Sequence, residues 1–161
     1  MLLAFAMSLR SPNIRWLIGT LILIKSIDVA CYNTIIGWGY GYYIVISLFD
    51  FSMIALIIYR RRTAGFIGRI LPYKLKPLAI SSSLKYKLTA NEVAIIGILI
   101  LSVLINIASI IERLIRRYSD FNPMYVYTAF PMLKFSISVL MLLVVCSVAI
   151  NGARNIYCDI K

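Results

Sequence analysis

Two lysines and two aspartates fall inside apolar stretches of this chain: Lys25 and Asp28 in 16–36, Asp50 in 43–59 and Lys134 in 125–150. Side chains of these types can carry protons, bind cations or pair with one another. At the centre of a bilayer such a charge costs about 3 kcal/mol or more, so it marks a paired or functional position. Lys25 and Asp28 are three residues apart, close enough on one helical face to pair directly. Asp50 then needs a partner from another segment, and Lys134 is the remaining cation at its depth. A structural clamp between the second and fourth apolar segments is the first expectation. A proton or ion pathway and recognition of a partner's helix are the alternatives.

Four segments are long enough to place these charges at membrane depth, since a spanning helix needs about 20 mainly apolar residues. They are 16–36, 43–59, 93–111 and 125–150, and the third has no charge in its interior. The fourth is long enough to tilt, and Pro131 gives a physical reason for a kink near its start. Counted inward from one membrane face, the four charges lie within about 6 Å of each other along the helix axis. They can meet, and they sum to zero. The fold class expected is therefore an all-α integral membrane protein, a single multi-pass domain over 1–161 with four transmembrane helices.

The composition agrees. Of 161 residues, 61% are hydrophobic, against about 45–50% in soluble domains, and mean hydropathy is +0.89. The formal charge of +11, from 17 Lys and Arg against 6 acids, would suit nucleic acid. Cations gathered between apolar runs fit the positive-inside rule better, so direct nucleic-acid binding is not expected. Twelve cations precede the first span, lie between the second and third, or follow the fourth; none lies in Gly37–Tyr42 and three, Arg113, Arg116 and Arg117, lie in the remaining connection. Both termini are thus expected in the cytoplasm, with the three arginines of 112–117 as the exception.

A secretory leader is not expected, because Met1–Leu9 lacks a basic beginning. Cys31, Cys146 and Cys158 form no Cys-x-x-Cys pair, their odd count argues against a disulfide framework, and the first two read as small buried hydrophobes. The absence of histidine excludes His-ligated haem, His-containing zinc sites and Ser-His-Asp chemistry. No metal-ligand cluster, phosphate-cradling loop or activated nucleophile is evident, so neither an enzyme nor a cofactor or metal site is expected.

Two surfaces outside the spans are candidates for binding a partner. The connection Gly37–Tyr42 is a tight glycine-rich turn carrying Trp38, Tyr40 and Tyr42, aromatics that suit a membrane interface. Its Gly-Tyr-Gly resembles a potassium filter but lacks the preceding pore helix and Thr-Val. The basic stretch 60–92 carries Lys74, Lys76, Lys85 and Lys87, with Pro72 and Pro77 against one continuous helix. It reads as a cytoplasmic loop suited to an anionic leaflet or a protein partner. Within the spans, Ser47, Ser52, Ser102, Asn106, Ser109, Ser136, Ser138 and Ser147 are expected to hydrogen-bond between helices.

In size, four-span layout, basic cytoplasmic loop and lack of catalytic residues, the whole chain resembles the small inner-membrane exclusion and immunity proteins of plasmids and phages. Among these are the proteins of conjugative plasmids that act in the recipient's inner membrane against redundant DNA transfer. Pore-forming colicin immunity proteins share the architecture. The resemblance implies a non-enzymatic, multi-pass protein of a bacterial inner membrane that recognises a protein in or at the membrane. A small transporter or channel subunit using the intramembrane charges, and an accessory subunit of a larger complex, are the other readings.

Overall fold

The computed structural model describes residues 12–70, 89–119 and 122–158, and they are helical apart from short connections, with no strand among them. In chain order the elements are α1 (Pro12–Ile35), a 3₁₀ turn (Ile36–Trp38), α2 (Tyr40–Ile58), α3 (Arg60–Ile70), α4 (Ala90–Tyr118) and α5 (Tyr125–Cys158). Four of these are long and apolar enough to cross a membrane: residues 16–38, 40–58, 90–118 and 125–150. Helix is the form expected of such sequences, because hydrocarbon offers no partner for backbone N–H and C=O groups and an α-helix satisfies them within one segment.

The turn between α1 and α2 is short because Gly39 takes φ +60°, a left-handed conformation that glycine adopts without penalty. Beside it, a Cβ on Gly41 would come within 3.1 Å of Trp38 Cβ, so a bare backbone lets the indole lie against α2. At this turn end of the bundle α4 finishes and α5 begins as well.

Three boundaries differ from the sequence expectation. The stretch 60–92 is not all loop: Tyr59 ends α2, yet its carbonyl accepts from the backbone N–H groups of Arg62 and Thr63 and leads straight into α3. Lys74, Lys76, Lys85 and Lys87 lie outside the described residues. Helix α4 begins at Ala90 and ends at Tyr118, beyond the expected 93–111 on both sides. Its start is set by a capping box, in which Thr89 Oγ1 accepts from the Glu92 backbone N–H and the Glu92 carboxylate accepts from the Thr89 backbone N–H. Finally, α5, with Pro131 inside it, runs to Cys158, beyond the expected 150.

The helices pack α1–α2, α2–α4 and α4–α5 in succession. Away from the turn end they share an apolar core: Leu17, Ile18 and Leu21 from α1, Met53 and Ile57 from α2, Ile95 and Leu99 from α4, and Met141, Val145 and Val148 from α5. Lipid tails are as apolar as these side chains, so the core contributes close packing rather than hydrophobic burial, and polar contacts carry more of the specificity. Helix α4 supplies them. Its buried face is Glu92, Ile95, Leu99, Ser102, Val103, Asn106, Ser109 and Glu112, a largely three-four spacing that keeps one side toward α2 and α5. That face is apolar at Ile95 and Leu99 and, apart from Val103, polar from Ser102 to the turn end.

Candidate functional site: a charge cluster between the helices

Asp50, in the middle of α2, is buried. The Ser102 hydroxyl of α4 donates to its Oδ2 at 2.6 Å, and Lys134 Nζ of α5 donates to that same Ser102 oxygen at 2.6 Å. Lys134 Nζ stands 3.8 Å from Asp50 Oδ2. The expected pairing of α2 with α5 therefore exists, but a serine from the helix between them carries the hydrogen bonds. Charge-assisted bonds of this kind are the stronger ones. The ammonium also lies 5.6 Å from the Phe130 ring centroid, a cation–π arrangement.

Lys25 and Asp28 form the expected pair along α1, at 3.0 Å. Their side chains are 39% and 21% exposed, so this pair stands at the edge of the cluster while Asp50 sits inside it. The four charges border one cavity of about 260 Å³, which also touches Ser102 and Tyr42 and is floored by Leu99 and Met141. A second recess of about 490 Å³ lies at the turn end, against Gly39, Arg113 and Tyr127. Tyr32, Tyr42 and Lys134 belong to the walls of both.

Two buried acids escaped the sequence reading because they sit where an apolar span gives way to its flanks. Glu92 Oε1 accepts from Arg60 Nη1 at 2.8 Å, with the two side chains only 4% and 2% exposed. Arg60, counted among loop cations by its sequence position, is in fact a buried partner of α4. Glu112 holds the start of α5: its carboxylate accepts from the backbone N–H groups of Val126 at 3.0 Å and Tyr127 at 2.7 Å. A carboxylate there meets both the unpaired N–H groups and the positive end of the helix dipole. The signal for both was the spacing, since 92 and 112 continue the buried positions of α4.

The three arginines that disturbed the charge count each lie over an aromatic ring. Arg113 is 5.0 Å from the Tyr40 ring centroid, Arg116 4.9 Å from Tyr127 and Arg117 5.8 Å from Tyr118. The Tyr40 hydroxyl also donates to the Arg113 carbonyl at 3.3 Å. The aromatics of the turn accordingly divide. Trp38 is 59% exposed, Tyr40 is tied to α4, and Tyr42 packs edge-on to Tyr32, Tyr43 and Phe130 above the cavity.

The expectation that the serines and Asn106 bond between helices needs correction. Ser102 does so, whereas Ser52, Ser109, Ser136 and Ser138 donate to carbonyls four residues earlier in their own helices, the usual recourse of a hydroxyl inside a helix. Among the described residues, the Ser47 hydroxyl and both polar atoms of the Asn106 side chain are buried without a hydrogen bond.

No protein-family model, curated protein or solved structure matches the chain.

Proposed function

We propose that this multi-pass membrane protein is a non-enzymatic exclusion or immunity protein of a bacterial inner membrane. It blocks redundant conjugal DNA transfer or a membrane-active toxin by recognising a partner protein, with both its termini in the cytoplasm. One observation carries the reading. The intramembrane charges are taken up by contacts within the chain, Asp50 through Ser102 to Lys134 and Lys25 to Asp28, which suits a fixed scaffold for recognition. Trp38, exposed beside the arginine–aromatic pairs of the turn end, supports a binding surface there, because exposed Trp with neighbouring Arg is the composition of interface hot spots. The cytoplasmic candidate is the basic stretch that carries Lys74, Lys76, Lys85 and Lys87.

The test is protection of cells against conjugal transfer and against pore-forming toxins. Trp38→Ala, or joint neutralisation of the four lysines, should abolish protection at unchanged membrane abundance. Reporter fusions after Gly41 and Asp120 should read outside, and those after Lys76 and Lys161 inside. Full protection by both variants would reject the reading. A second reading, a small transporter or channel subunit, is favoured by the cavity beside the charges. Solute or ion flux by the purified protein in liposomes would establish it.

A further inference from the structure

We propose that the cavity between α1 and α5 is a binding site for a small zwitterionic solute bearing a primary ammonium and a carboxylate, such as an α-amino acid. This goes beyond the recognition reading and does not depend on it.

The cavity brings Lys25 and Asp28 from α1 to Asp50 from α2 and Lys134 from α5, so its charges sum to zero but are not spatially uniform. A ligand with one net charge would leave that charge unmatched in apolar surroundings, and an apolar ligand would cover the bonding capacity that the paired groups still have without meeting it. A zwitterion meets both signs. At about 260 Å³ the space is below the roughly 300–1,000 Å³ typical of drug-sized ligands, which selects a small one.

Bonding capacity is present on both walls. Lys134 has three donors; its strong bond goes to Ser102 Oγ at 2.6 Å, and its contact with the Ser102 carbonyl is long, at 3.4 Å. A ligand carboxylate can take the donor that remains. Asp28 bonds Lys25 through Oδ2, and a carboxylate accepts at two oxygens, so it can receive a ligand ammonium. The solute would then bridge α1 to α5 while Asp50, Ser102 and Lys134 keep their contacts. The way in is the turn-end recess, whose walls share Tyr32, Tyr42 and Lys134 with the cavity. Toward the opposite end Leu99 and Met141 floor the cavity, and the apolar core beyond them closes the bundle.

The experiment measures binding to the full-length protein purified in lipid nanodiscs, by calorimetry and thermal shift. The probes are glycine, L-alanine and L-serine, with propionate and L-alanine methyl ester as single-charge controls. At least one zwitterion should bind saturably, and the controls about tenfold more weakly or worse. Asp28→Asn removes the ammonium's partner without touching the Asp50 contacts. Ser138→Leu fills the space from a cavity-lining position on α5. Each should weaken binding about tenfold, while size-exclusion elution still shows folded protein. Failure of all three zwitterions to bind, equal binding by the controls, or unchanged binding by both folded variants would overturn the proposal.

Discussion

Ser102 stands between Asp50 and Lys134 as donor to one and acceptor from the other, so that an ion pair 3.8 Å across is held by two bonds of 2.6 Å. The serine thereby joins α2, α4 and α5 at one level. Removing either charge strands the other in an apolar interior, a loss of about 3–5 kcal/mol for buried pairs. Asp50→Asn and Lys134→Met should each lower the monodisperse fraction that survives heating in detergent. The double variant should recover part of that loss. Ser102→Ala should cost less, about 1–2 kcal/mol, since the charges remain near one another. Fully additive effects of the Asp50 and Lys134 changes would contradict the pairing.

Arg60 and Glu92 predict a sharper contrast. Glu92→Gln removes the carboxylate that pairs with the buried guanidinium at 2.8 Å and weakens the capping box of α4, so it should be destabilising. Arg60→Met with Glu92→Leu removes both charges, and such replacements are often neutral or stabilising. The thermal midpoint of the double variant should therefore exceed that of Glu92→Gln alone. The same heating assay orders them.

Glu112 is expected to matter through the backbone of α5. Glu112→Gln keeps one acceptor oxygen but loses the charge facing the helix dipole, while Glu112→Ala frees both N–H groups. Losses of about 0.5–2 kcal/mol are typical of removed caps, with Ala the worse. Hydrogen exchange at the Val126 and Tyr127 amides should accelerate in Glu112→Ala, and unaltered exchange would argue that other groups hold this turn.

Asn106 is fully buried, and its carboxamide has no hydrogen bond. An apolar group of similar size relieves that desolvation, so Asn106→Leu should match or exceed the parent in thermal stability. A clear loss of stability would show that the carboxamide is satisfied in the bilayer. If protection is lost while stability is kept, the residue serves function rather than folding.

The four spans and the height of the intramembrane charges were legible in the sequence because both depend on hydropathy and rise per residue alone. Lys25 with Asp28 followed from helical spacing, and Asp50 with Lys134 from elimination. The bridging role of Ser102 was not legible, since a serine in a span more often bonds its own helix, as Ser109 does. Glu92 and Glu112 were hidden by position: at the end of an apolar run an acid looks solvated, and its burial depends on which helix lies opposite. Thr89-Ala-Asn-Glu92 did carry a readable capping signal. The division of Trp38 from Tyr40 and Tyr42 depends on the bend at Gly39, which composition does not specify.

Three contacts at separate heights fix α2, with the first residue of α3, against α4. From Arg60–Glu92 to Asp50–Ser102 the chain moves ten residues from the start of α3 into α2 and ten along α4, and from there to Tyr40–Arg113 it moves ten along α2 and eleven along α4. Sliding one helix past the other by a single turn would break all three at once, one of them a buried ion pair. A slipped arrangement therefore gives up all three contacts together rather than one at a time. As the two helices come together in the bilayer, one alignment satisfies all three contacts, and the first residue of the segment joining them takes part in fixing it.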